Sequence, residues 1–486
     1  MLVVAGVGLL PISVAAAQAA SDWQQAQGDA SHTGFAANAV VPPYREAWDL
    51  PVPLGGPSST FGLSAPVVAG SAVIAVGPDR VVAADLATGG QLLSADRDEG
   101  PSVSPAIASV KRRQLVIFTE GFGGTEPGTT ASASASASTS SSPTPVAGSV
   151  NEPFDSHVEA IDLETQEPAW DEPVQLESVS RTGVTVDGAT AFVGDNRGKI
   201  YAIEVSTGRI AWSAEVGGTL STSLGVADGS VVATVQGGTS STPRVVALDE
   251  ADGSKIWDHE IEGGSVYASS PAIADGRVVV AFADQTVRAF DLADGTEAWT
   301  ARINNPVFFT GAPAVTPDAV LVVDSFGQVY RLDPTTGERD WDYAINETVL
   351  RSPVVVAGNR VLVATTTGRL VAVDIASGDL VWQGVTGGGL LRSLTPTPDV
   401  VVGVRGGTQA GLVAFEQDPD GTLVSLVSPT TIDLPSLLLA FFAAAAPVAL
   451  VLSLGGRWLR VRMGPAFLPD DDGEGSEPDS SGEADA

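Results

Sequence analysis

The stretch 329–343, VYRLDPTTGERDWDY, sets an aspartate at 333, a glycine four positions on at 337 and a tryptophan eight positions on at 341. Nearly the same phrase stands at 245–259 (VVALDEADGSKIWDH), 287–301 (VRAFDLADGTEAWTA) and 370–384 (LVAVDIASGDLVWQG). Anchored on its acid, the phrase recurs at Asp85, Asp162, Glu204, Asp249, Asp291, Asp333, Asp374 and Glu416. The intervals are 41 to 45 residues after a first one of 77. A repeat of that length written in short, β-patterned runs suits a propeller blade, whereas paired helices of equal length would show a 3.6-residue period. Eight anchors predict an all-β, eight-bladed β-propeller of four-stranded antiparallel blades.

Each repeat carries its own turn chemistry. In SSPAIADGRVVVAFADQTVRAFDLADGTEAWTA (269–301) three runs are broken at Asp275-Gly276, Asp284-Gln285 and Asp294-Gly295, and a fourth strand starts at Trp299. Such pairs favour tight hairpins. One four-stranded unit buries only the face it sets against a neighbour, so the units must stack, and a closed ring removes most exposed edges. Two positions before the acid stands alanine in seven repeats and Arg331 in the other, so neighbouring sheets can approach closely. Glycine follows four positions after it in six repeats, from Gly89 to Gly378, as a turn with positive φ requires. Trp170, Trp212, Trp257, Trp299, Trp341 and Trp382 occupy the position eight after the acid, and Leu93 and Val424 take it in repeats one and eight. A tryptophan at one fixed place in six repeats is packing, its N–H in need of a buried partner. One active site would need one such residue.

Composition narrows the function classes. The chain of 486 residues has no cysteine, which excludes a disulfide framework, a thiol nucleophile and any thiolate-bound metal. Its net charge of −33 would repel a phosphate backbone, so nucleic acid is not an expected partner. Residues 1–20 read as a signal peptide or an uncleaved anchor: an apolar run ends in small residues around Ala17 and Ala19, with no preceding Lys or Arg. Residues 434–454, LPSLLLAFFAAAAPVALVLSL, hold 21 uncharged residues, enough to span a bilayer core as a helix. Arg457, Arg460 and Arg462 follow, with Trp458 among them, and place residues 455–486, an acidic tail, in the cytoplasm. The propeller, 21–427, is then extracytoplasmic on a single-pass protein of the cell membrane. Residues 121–150, rich in Ser, Ala and Thr, lengthen the first interval and read as a flexible loop inserted in blade two.

The A-x-D-x-x-T-G-x-x-x-W phrase resembles the tryptophan-docking repeat of the PQQ-like, or quinoprotein-type, β-propellers. The opening DWQQAQGDASHTGF (22–35) is similar to the W-x-x-x-x-G-D-x-x-x-T-G motif ahead of blade one in that family. The resemblance covers about residues 22–427 and implies that each Trp wedges between blades and meets the turn of a neighbouring repeat. It further implies that REAWDLPV (45–52) pairs with blade eight to close the ring. The family contains quinoprotein dehydrogenases and non-catalytic members, among them the lipoprotein that helps assemble outer-membrane barrels. Its soluble alcohol-oxidising members stack the quinone on a disulfide of adjacent cysteines and hold calcium with Glu, Asn and Asp on long insertions. This chain has no cysteine and short loops.

Few residues suggest chemistry directly. His32, His157 and His259 are scattered without metal-ligand spacing, and no nucleophile triad or phosphate-binding loop is present. Aligning the lead-in to the first strand of each blade on SSP (269–271) places Arg181, Arg351 and Arg392 in one slot. The other blades have Ser64, Val103, Thr222, Ser269 and Gly311 there. Equivalent positions on a ring face the axial funnel, and arginine suits carboxylates through paired hydrogen bonds. The expectation is a non-enzymatic, membrane-anchored scaffold binding proteins of the cell envelope, with no catalytic residue, cofactor or metal and with an anion or partner site at the funnel mouth. The alternative is a PQQ-dependent quinoprotein oxidoreductase acting on alcohols or sugars, with PQQ and Ca²⁺.

Overall fold

The computed structural model describes residues 23–54, 62–97, 100–121, 156–237, 242–262, 267–303, 311–350, 352–385, 389–407 and 410–423. Thirty-three strands fall into eight sheets, one for each acid-anchored repeat. In blade 5 the strands are Ala272–Ala274, Arg277–Ala281, Thr286–Asp291 and Glu297–Arg302, each antiparallel to the next. The outermost strand thus begins two residues before Trp299. Asp275 and Gly276, with φ of 49° and 70°, form the hairpin the Asp-Gly pair predicts. First strands of blades 1 to 6 touch in succession around the axis, as do those of blades 7 and 8.

Burial follows from this arrangement. Strands such as Ala72–Val76 and Ser230–Val235 are buried at every position, because a blade is covered on both faces by its neighbours. The expectation of one buried face per unit holds only for outermost strands such as Glu297–Arg302, whose pattern alternates. Runs of Val and Ala therefore mark the middle strands.

The N-terminal stretch joins the ring twice. Tyr44–Pro51 is the outermost strand of blade 8, antiparallel to Gly411–Gln417, and closes the ring as the resemblance implied. Arg405, almost fully buried, ties that seam by donating to Asp49 Oδ2 and Glu46 Oε2, both at 2.6 Å. Upstream, residues 23–40 form a belt around the axis. The carbonyls of Trp23, Gln24, Ala30, Ser31, Thr33 and Gly34 accept from the backbone N–H of Val68, Ile107, Val226, Ile273, Val315 and Val356. Each donor lies in the first strand of a different blade. The Gln25 side chain serves blade 3, giving Nε2 to Val186 O at 3.0 Å and accepting the Val186 N–H at 2.7 Å. Val40 N–H reaches Thr397 O in blade 8. Phe35–Ala36 also pairs in parallel with Val356–Ala357, so blade 7 has five strands where four were expected.

His32 belongs to this belt. It is fully buried, and burial pushes its imidazole down to about 4, so it is neutral at physiological pH.

Residues 1–20, 122–150, 434–454 and 455–486, expected to form the signal peptide or anchor, the inserted loop, the membrane helix and the acidic tail, lie outside the described residues. Among the described residues no helix is long and apolar enough to cross a membrane.

Candidate functional site

The repeated tryptophans are interblade locks. Trp170, Trp212, Trp257, Trp299 and Trp341 donate Nε1 to Val205, Glu250, Leu292, Pro334 and Ile375 carbonyls of the next blade, at 2.8 to 3.1 Å. Each indole lies over the glycine of that next turn. A β-carbon on Gly295 would stand 2.6 Å from Trp257, and Gly295 also has φ of 72°. Trp382 differs, meeting Tyr44 edge-on at 5.2 Å. The alanine two before the acid pairs across the strands with the Trp, as Ala247 does with Trp257, beside a bulge. The anchoring acid caps its own turn: Asp333 Oδ1 accepts the Thr335 and Thr336 N–H groups.

One lock was missed in the sequence. Because the outermost strand of blade 8 comes from the N-terminus, its docking residue is Trp48, which donates to Leu86 O at 2.9 Å and covers Gly89. Trp48 pairs with Ala414 as the other tryptophans pair with their alanines. Counting eight residues on from Glu416 led to Val424 and away from it.

The axis holds a blind funnel. The lead-ins to the first strands and the hairpins between second and third strands share one face, joined by bonds such as Ala283 N–H to Tyr267 O and Asn196 N–H to Val179 O. From that face a cavity of about 660 Å³ opens, bounded by Ser64, Val103, Ser221, Tyr267, Arg181 and Arg392 among others. Below it a chamber of about 380 Å³ ends on Trp23, Ala26 and Gln27 of the belt. The slot shared by the blades therefore does face the funnel at all seven described positions, Ser64, Val103, Arg181, Thr222, Ser269, Gly311 and Arg392. Arg181 is exposed and has no hydrogen-bond or ion-pair partner among the described residues. Arg392 is largely buried, with Nη2 3.4 Å from Leu63 O. Arg351 lies outside the described residues. Serines and a threonine line the same chambers as the two arginines, and no carboxylate lines either chamber among the described residues.

A second cluster was not legible in the sequence. Glu120 and His157 are cross-strand partners in blade 2, and Glu159 lies two residues on, on the same face of the sheet. His157 Nε2 is 3.2 Å from Glu120 Oε2 and 3.2 Å from Glu159 Oε1. The side chain of Glu120 is 2% exposed, and Arg97 of blade 1 approaches its other oxygen to 3.6 Å. Glu120 and His157 stand 37 positions apart in the chain, so no local metal-ligand spacing joins them.

An eight-bladed propeller with indoles docked between its blades defines the quinoprotein-type class. The family model described as outer membrane protein assembly factor BamB matches residues 154–282 and 234–417, more than half of the chain. The chain belongs to this family of PQQ-like propellers. BamB from Yersinia pestis is 30% identical over 101 residues, 20% of this chain and 24% of that protein, so only about a quarter of the relative's length is matched. The crystal structure of BamB from Moraxella catarrhalis superposes with a TM-score of 0.51 at 14% identity, covering 77% of this chain and 99% of that one. The quinohemoprotein alcohol dehydrogenase from Comamonas testosteroni gives 0.57 at 14% identity, over 81% of this chain and 80% of the enzyme. At these identities the two structural likenesses concern the fold.

Proposed function

We propose that the chain is a membrane-anchored, extracytoplasmic scaffold that binds proteins of the cell envelope on its funnel face, and that it is not an enzyme. The observation that carries this reading is the lining of the funnel. Among the described residues it offers two arginines and many hydroxyls but no carboxylate to serve as general base or calcium ligand. Exposed apolar side chains on the same face support it: Tyr267, Phe326 and Leu350, on loops of three consecutive blades, are 63%, 63% and 50% exposed. Large exposed apolar groups beside an arginine suit a protein contact. Membership of a family described by an assembly factor agrees with an envelope role. The anchor is the segment 434–454, and Arg181, Arg351 and Arg392 receive an acidic segment of the partner.

The second reading, a quinoprotein oxidoreductase, is favoured by the blind funnel itself, which is of cofactor size and basic. One experiment separates the two: titration of the purified protein with pyrroloquinoline quinone, with and without Ca²⁺, followed by a dye-linked dehydrogenase screen on alcohols and sugars. The scaffold reading expects no saturable binding and no turnover. Micromolar binding with turnover would replace it.

A further inference from the structure

We infer that Glu120, His157 and Glu159 form a binding site for a divalent transition-metal cation of the Zn²⁺ type, in the interface between blades 1 and 2. The inference stands apart from the scaffold reading and uses none of the funnel residues.

The geometry points there in three ways. First, one imidazole nitrogen faces two carboxylate oxygens at 3.2 Å each. Nε2 carries at most one proton, and a charge-assisted N–H···O bond is shorter, about 2.7–2.9 Å. Donors about 2.0–2.1 Å from a tetrahedral zinc stand about 3.3 Å apart, close to the separations here. All three ligand atoms lie within 4.8 Å of one another.

Second, a buried carboxylate needs compensation. Glu120 is 2% exposed, and its Oε1 receives no hydrogen bond from any described residue, Arg97 Nε being 3.6 Å away. Glu120 Oε2 and Glu159 Oε1 both face the one imidazole nitrogen, and a cation between the two carboxylates would offset their repulsion at this buried place.

Third, the surroundings are built. Arg97 is fixed by donating to Gly77 O at 3.0 Å and Thr119 O at 2.6 Å, and so stays beside the far oxygen of Glu120. A partner on the non-ligating oxygen of a carboxylate is the usual support around a metal ligand. One imidazole and two carboxylates leave a fourth position for water, and the donor set suits Zn²⁺ better than the all-oxygen shell of Ca²⁺.

The test uses the full-length chain without a polyhistidine tag, purified in detergent and stripped with EDTA. Zn²⁺ is then titrated by calorimetry, and bound metal is counted by elemental mass spectrometry after desalting. The expected result is one Zn²⁺ per chain, abolished by His157→Ala and weakened at least tenfold by Glu120→Gln. Glu159→Gln, at the most exposed of the three positions, is the variant least able to disturb folding, and it too is expected to weaken binding at least tenfold with an unchanged circular dichroism spectrum. No uptake, or uptake that survives all three substitutions and therefore arises from the acidic surface, overturns the inference.

Discussion

The interface between blades 4 and 5 and the interface between blades 1 and 2 solve one problem with different parts. In the first, Trp257 lies over Gly295 and gives its N–H to Leu292 O. In the second, Leu93 stands where the indole would be and Gln166, with φ of 60°, where the glycine would be. The two replacements occur together, and the reason is steric: a β-carbon on the turn would penetrate the indole, whereas the smaller leucine leaves room for one. The phrase is thus a two-part lock whose halves sit on neighbouring blades. Of the two interfaces that lack the lock, the other being that of blades 7 and 8 where Trp382 meets Tyr44, this one holds the buried Arg97, Glu120 and His157 group.

The comparison can be broken or sharpened by measurement. The largest effect is expected for Trp257→Ala, which empties a buried site and should lower unfolding free energy by about 4 kcal/mol in urea titrations. A loss below 1 kcal/mol would mean the lock is ornamental. Next comes Gly295→Ala, which adds both a backbone penalty at positive φ and an overlap with Trp257, together about 3 kcal/mol by the same assay.

Acidification asks whether the belt or the blade interfaces give way first. His32 has its folded pKa near 4 against 6.5 unfolded, so the unfolded state takes up the proton first. Its contribution is complete above pH 6.5 and is lost as pH falls toward 4. Between pH 7 and 4.5 the loss is roughly 2 kcal/mol, read as the difference in pH-dependent melting between the natural protein and His32→Gln. Equal pH slopes in the two proteins would remove His32 from the account. The smallest effect tests pairing itself. Leu93→Trp should destabilise alone and recover when combined with Gln166→Gly, with a coupling energy of about 1 kcal/mol in the double-mutant cycle. Simple additivity would show the two halves to be independent.

How much of this was legible follows from what repeats. The anchors, turns, glycines and docking tryptophans are periodic, so each copy supports the others, and the shared slot of Arg181 and Arg392 could be placed on the funnel by alignment alone. Trp48 broke the period, because its strand belongs to blade 8 in space but precedes blade 1 in the chain. The belt was invisible for a different reason: its ties are mostly main-chain carbonyls, which every residue type carries. Glu120 and His157 meet only through hairpin register, which depends on how the segment between them closes and not on spacing.

The seam at Trp48 has a consequence in time. Trp48 and Ala414 are cross-strand partners separated by more than 360 residues, and the belt before Trp48 draws on all eight blades. Ribosomal synthesis delivers the belt and the closing strand before any of the blades they join, and the blade 8 partners after the other seven blades. Until blade 8 is complete these segments hold unpaired edges, the kind of surface that seeks another strand. A chain truncated before Gly411 would therefore leave Tyr44–Pro51 without its partner, and the segment made before blade 1 is the one most dependent on blade 8.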